Sequence, residues 1–167
     1  MSMGRAVHLV RRFLRALTAH VDPSDRQVIA DNLTPAQQRL FWAMMLQDQR
    51  HSLDVFYTLQ RRGCQDEDIL LAALLHDVGK GYVRLWQRVV FVLLLACAPW
   101  LLRRLAKPSG SGWRRAMASI KEHGTRGAAL AQEAGAPPVV VELIRNHQRE
   151  HLSDRRAALL RTAEESS

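Results

Sequence analysis

Alternation of apolar and polar positions divides the chain into helices separated by capping and breaking residues. From Gly4 to His20, Val7, Val10, Phe13, Leu14 and Leu17 fall on one side, and Arg5, Arg11, Arg12 and Arg15 occupy the rest, predicting an amphipathic basic helix. Asp22-Pro23-Ser24-Asp25 reads as a chain break. Thr34-Pro35-Ala36-Gln37 has capping-box spacing with proline at the first helical position, and Leu40, Phe41, Met44, Met45 and Leu46 give the helix it opens an apolar side. Asp48 is positioned to cap a further helix, which buries Leu53, Val55, Phe56 and Leu59, reaches Arg62 and stops at Gly63. Asp66 then caps a helix with Glu67 and Asp68 in its first turn, where negative charge suits the dipole. Ile69 to Leu75 is apolar almost throughout, so this helix is expected to be buried all round, with Gly79 closing it in a left-handed conformation.

The second half is patterned differently. Val89 to Leu102 is 14 residues without a charge, set between Arg84 and Arg88 on one side and Arg103 and Arg104 on the other. A membrane-spanning helix needs about 20 apolar residues, and Pro99 interrupts this run, so a buried hairpin or an interfacial helix pair over residues 84–106 is the expectation. Trp86, Trp100 and Trp113 at its margins suit either core edges or peripheral membrane contact. Residues 107–112 read as a flexible loop. Helix resumes at Trp113, turns at Gly135-Ala136-Pro137-Pro138, and continues from Val139 to Arg149 with Val140, Val141, Leu143 and Ile144 buried. A last helix runs from Arg155 to Glu165. The expected fold class is all-α, with residues 1–22 as an N-terminal amphipathic helix and 23–167 as one helical domain.

Composition narrows the function. Apolar residues make up 47% and aromatics 6%, which favours packed helices over sheets. A formal net charge of +8 suits phosphate-bearing ligands, nucleic acid or an anionic membrane surface. The arginines are scattered and no basic patch is interleaved with aromatics, so nucleic acid is not the expected partner. Cys64 and Cys97 form no Cys-x-x-Cys pair, which argues against a zinc knuckle or a disulfide framework and for a reducing cytoplasm. Nor does the N-terminus carry the apolar run and small-residue cleavage site of a secretory signal.

Candidate chemistry concentrates where the buried helix ends. His76 and Asp77, two metal-ligand types side by side, would need partners at that depth, and a divalent cation satisfies both. Lys80 would stand just outside as a point charge for a phosphate oxygen. His51 precedes His76 by 25 residues, the span of two antiparallel helices and a short turn, which brings the imidazoles within reach of each other. His8 and His20 fall outside any ligand spacing, and His151 is expected to face solvent. No serine or cysteine triad argues for a side-chain nucleophile.

Leu75-His76-Asp77-Val78-Gly79-Lys80 resembles the defining motif of the HD-domain phosphohydrolase superfamily. That resemblance implies an all-helical bundle, metal ligands in the order His, His-Asp, Asp, and hydrolysis of phosphate esters. Residues 84–106 would then be an insertion after the motif. His123 followed by Gly127-Ala128-Ala129-Leu130, and Ile144-Arg145-Asn146-His147, resemble the HD-GYP-like branch. There the doublet's aspartate bridges two metals, which implies that Asp77 bridges and that His123 and His147 serve a second ion or a phosphate. Gln148 stands in place of that branch's next histidine, and no Gly-Tyr-Pro follows. Glu164 occupies the register of the closing aspartate, with Asp154 as its alternative or as a helix cap. The implied ligands are His51, His76, Asp77 and Glu164, with Asp77 orienting the attacking water and Lys80, Arg126 and Arg145 steadying the phosphate. Mixed imidazole and carboxylate suit one or two ions of Mn, Fe, Ni or Zn better than Mg. The implied substrate is a small phosphomonoester or phosphodiester of nucleotide type. The alternative is an HD scaffold without turnover, binding a regulatory ligand or a membrane surface.

Overall fold

The computed structural model describes residues 19–81, 90, 94, 98, 100, 101, 105, 113–147 and 154–167, with the backbone alone over 113–121. Among the described residues there are seven α-helices, one 3-10 turn and no strand, an all-α domain as the patterning predicts. The helices are α1 (Pro23–Asn32), α2 (Pro35–Trp42), α3 (Leu46–Arg61), α4 (Glu67–Leu75), α5 (Trp113–Glu133), α6 (Pro138–Asn146) and α7 (Arg155–Ser166). The 3-10 turn spans Val78–Lys80. The expected N-terminal helix lies outside the described residues except for Ala19 and His20, which are not helical. Most of the 84–106 insertion and all of the 107–112 loop also lie outside them. No described helix is long and apolar enough to cross a membrane.

Helix α4 is the centre of the bundle, packed against α2, α3, α6 and α7. Ala72, Ala73, Leu74 and Leu75 have no exposure, and Ile69 and Leu70 are also buried, so the continuous apolar run reflects contact on nearly every side. Phe41 of α2, Leu53 and Phe56 of α3, Ile144 of α6 and Leu160 of α7 complete the core around it. The Asp66 side chain caps α4 by accepting from the backbone N–H groups of Asp68 and Ile69 at 3.1 and 3.3 Å.

Three local expectations are corrected. Asp22-Pro23-Ser24-Asp25 opens α1 instead of breaking the chain: Pro23 stands at the first helical position, and the Asp25 carboxylate accepts the Asp22 N–H at 2.9 Å. Asp48 is not a cap. Helix α2 ends at Trp42, Met45 precedes α3, and Leu46 belongs to α3, where it is exposed. The Gln49 amide closes that corner by donating to the carbonyls of Met44 and Trp42 at 2.9 and 3.3 Å. Asp48, in the first turn of α3, is therefore turned inward and buried.

The third correction concerns Gly79. It lies within the 3-10 turn without a positive φ, and the left-handed residue is Gly81, at φ 63°. What requires a glycine at position 79 is proximity: a Cβ there would meet the His123 carbonyl oxygen at 2.0 Å and the Gly127 nitrogen at 2.5 Å. Gly124, on α5, similarly faces the α6 carbonyls of Arg145 and Ile144, at 3.1 and 3.2 Å from a built Cβ. These glycines bring three backbone segments into contact, and each segment carries a histidine to the same place.

Candidate metal centre

His76 follows the last residue of α4 in a right-handed conformation, and Asp77 (φ −98°, ψ −1°) leads into the 3-10 turn. Both are completely buried. The Nδ1 of His76 lies 2.8 Å from the Ala73 carbonyl oxygen. A carbonyl only accepts, so Nδ1 carries the hydrogen and the Nε2 lone pair of the neutral ring is left facing inward. His147, just past α6, repeats the device with its Nδ1 2.6 Å from the Ile144 oxygen. Such backbone anchoring fixes tautomer and ring orientation, as in metal-ligating histidines.

The four imidazoles form a row. Ring centroids are 5.5 Å apart for His51 and His76, 5.3 Å for His76 and His147, and 5.1 Å for His123 and His147. The Asp77 carboxylate lies against it, with Oδ1 3.5 Å from His76 Nε2 and 3.4 Å from His123 Nε2. His123 Nε2 and His147 Nε2 are 3.2 Å apart. Ligands about 2.0–2.2 Å from one ion stand roughly 3–3.5 Å from their neighbours on it, so these separations fit shared coordination. His76 Nε2 and Asp77 Oδ1 are also buried without a hydrogen-bond partner, which is costly unless a cation takes up their lone pairs. Two groups of ligand atoms, each within 4.8 Å of one another, result: His51 with His76 and Asp77, and Asp77 with His123 and His147. Asp77 is common to both.

Electrostatics favour the ligand forms. Burial alone would raise the Asp77 pKa, but His76, Lys80 and His123 hold it well below the usual carboxylate value. Burial pushes the His147 imidazole down to about 4, assisted by His76 and opposed by the Glu164 charge. Both residues are thus in their metal-binding forms at neutral pH.

The remaining expected site residues are placed less simply. Glu164 is half-buried on α7 and belongs to neither ligand group, although its charge is felt at His147. Asp154 is the N-cap of α7, its Oδ1 accepting from the Arg156 N–H at 2.9 Å. Lys80 is directed inward, 2.5 Å from Asp77 Oδ2 and 3.7 Å from Asp48 Oδ1. The Arg126 guanidinium lies beside Gly81, 3.4 Å from where a Cβ would stand. Arg145 is exposed and paired with Glu142 at 2.6 Å. Gln148 lies outside the described residues. Asp48 was missed as a site residue; its only sequence signal is its position three residues before His51, on the same helical face.

A buried histidine–aspartate cluster at the meeting point of α3, α4, α5 and α6 defines an all-helical protein with a candidate metal site. The chain belongs to the HD domain family, whose model matches residues 49–166 and whose members are generally metal-dependent phosphohydrolases. The match names no branch within that family. No curated protein and no solved structure matches the chain significantly.

Proposed function

We propose that this HD-domain protein hydrolyses a small phosphate ester, a phosphomonoester or a phosphodiester of nucleotide type, and that it is nearest to the HD-GYP-like branch without the naming tripeptide. The observation carrying this reading is the shared position of Asp77, whose orphaned Oδ1 faces ligand nitrogens on both sides. His51, His76 and Asp77 would hold one divalent ion; Asp77, His123 and His147 would hold a second. Bound there, Mn, Fe, Ni, Zn or Mg supplies Lewis-acid polarisation of a phosphoryl oxygen and acidifies a water.

The chain's own groups do the rest. Backbone-anchored His76 and His147 keep their Nε2 lone pairs directed at the site, and the low pKa of Asp77 keeps it charged. Asp77 also orients the attacking water. Arg126 is the cation best disposed to meet a phosphate oxygen, being exposed beside Gly81, the residue after Lys80. Arg145 could join it only by leaving Glu142.

The test is turnover of generic phosphoesters and a nucleotide panel with each metal. Asp77→Ala should reduce cleavage at least a hundred-fold while circular dichroism stays unchanged, and undiminished cleavage would reject the assignment. A second reading, an HD scaffold retained for regulatory or membrane-surface binding, is favoured by one observation. Among the described residues Asp77 is the only carboxylate in either ligand group. It predicts ligand or acidic-lipid binding with no product formed.

A further inference from the structure

We propose that Asp48 and Lys80 are positioning residues for Asp77, so that Lys80 serves the metal-binding carboxylate instead of a substrate phosphate; this rests on the metal site proposed above. The two oxygens of Asp77 have different surroundings. Oδ2 accepts from the Lys80 ammonium at 2.5 Å, whereas Oδ1 is the oxygen left among the imidazoles. With Oδ2 held on one side, Oδ1 is directed at His76 and His123 on the other. Lys80 has little freedom to do otherwise. Its side chain is only 13% exposed, its backbone N–H donates to the Asp77 carbonyl at 3.0 Å, and the 3-10 turn it ends is followed by Gly81 in a left-handed conformation, φ 63°.

An ammonium paired with Asp77 alone would cancel the charge that attracts a divalent cation. Asp48 answers that difficulty. It is 3% exposed, one turn before His51 on the same helix, with Oδ1 3.7 Å from Lys80 Nζ. Lys80 and Asp48 together are electrically neutral, so Asp77 keeps a full negative charge toward the imidazoles while its geometry stays fixed. The arrangement also links α3, which supplies His51, to the turn that supplies Asp77, joining the two halves of the first ligand group. Asp48 precedes the residues matched by the family model.

The experiment is titration of the full chain with Mn2+ alone, followed by electron paramagnetic resonance of the free ion. Asp48→Asn keeps the shape but removes the charge, and should weaken Mn2+ binding at least ten-fold; Asp48→Glu should recover most of that loss. In a Lys80→Met background the same Asp48→Asn change should alter affinity less than three-fold, because its effect runs through Lys80. An equal loss with and without Lys80 overturns the proposal, as does a folded Asp48→Asn protein with undiminished affinity. Should Lys80→Met not fold, Lys80→Gln serves in the same cycle. Wild-type protein that binds no Mn2+ would remove the metal site itself, a failure distinct from one confined to the variants.

Discussion

Replacing Gly79 by alanine tests how the site is held together. The added Cβ would stand 2.0 Å from the His123 carbonyl oxygen, 2.5 Å from the Gly127 nitrogen and 2.9 Å from the His123 carbonyl carbon, against an ordinary contact of at least 3.4 Å. Relief therefore requires the 3-10 turn and α5 to separate by about 1.4 Å along the worst contact, the difference between 3.4 and 2.0 Å. All three obstructing atoms are backbone, so no rotamer change absorbs the strain. Overpacking typically costs ~1–3 kcal/mol, and this site belongs at the upper end. For a domain of this size about 3 kcal/mol lowers the melting temperature by roughly 6–12 °C. Separation also draws Asp77 from His123, now 3.4 Å apart, so metal affinity should fall with stability. Gly124→Ala faces carbonyl oxygens at 3.1 and 3.2 Å and needs only about 0.3 Å of relief, while a Cβ on Gly127 begins at 3.3 Å. Calorimetric melting with and without Mn2+ should rank the losses Gly79 first, then Gly124, then Gly127. A Gly79→Ala protein with unchanged melting and metal affinity would refute the reasoning.

Other consequences follow from the same packing and hydrogen bonding. Tyr57→Phe removes the bond from the Tyr57 hydroxyl to buried Asp25, 2.7 Å long, and should cost about 1.5–3 kcal/mol in urea unfolding, as expected for a bond to a charged acceptor. Burial and Asp25 push the Tyr57 pKa up to about 12 from the ordinary 10.0, so its contribution is present below pH 10.0 and lost as pH rises toward 12; for Asp25, whose pKa is lowered from 3.8, stability present above that value is lost on acidification through its lower folded pKa. A pH series of unfolding curves on wild type and Tyr57→Phe should show the alkaline loss in the first only. Leu74→Ala, at a completely buried position of α4, should cost about 2–5 kcal/mol. Asp154→Ala should cost about 1 kcal/mol through its lost cap and leave bound metal unchanged; reduced metal content would instead make it a ligand.

Much of this was legible because the signals were local. The Asp66 cap, the apolar run of α4, Gly63 after α3 and the Gly135 turn each declare themselves within a few residues, and each occurs in the structure as expected. His51 and His76 were legible through spacing, 25 residues apart, and His123 and His147 through the resemblance of the motifs that carry them; the rings of each pair meet. What escaped depends on tertiary contact. Nothing near Ala43 announces the corner between α2 and α3, because Gln49 closes it from the following helix, and so Asp48 read as a cap. The reason for Gly79 lies on α5, more than forty residues away. Glu164 was assigned by register, which says nothing about how α7 is rotated against the imidazole row. Asp22-Pro23 did carry a helix-start signal, the same one that correctly marked Thr34-Pro35.

Anomalous diffraction from crystals of the Mn2+-loaded protein, collected where manganese scatters strongly, shows whether His76 and Asp77 share an ion. An anomalous peak is expected within about 2.0–2.3 Å of both His76 Nε2 and Asp77 Oδ1. Well-ordered, manganese-saturated crystals with no peak at that position would contradict it.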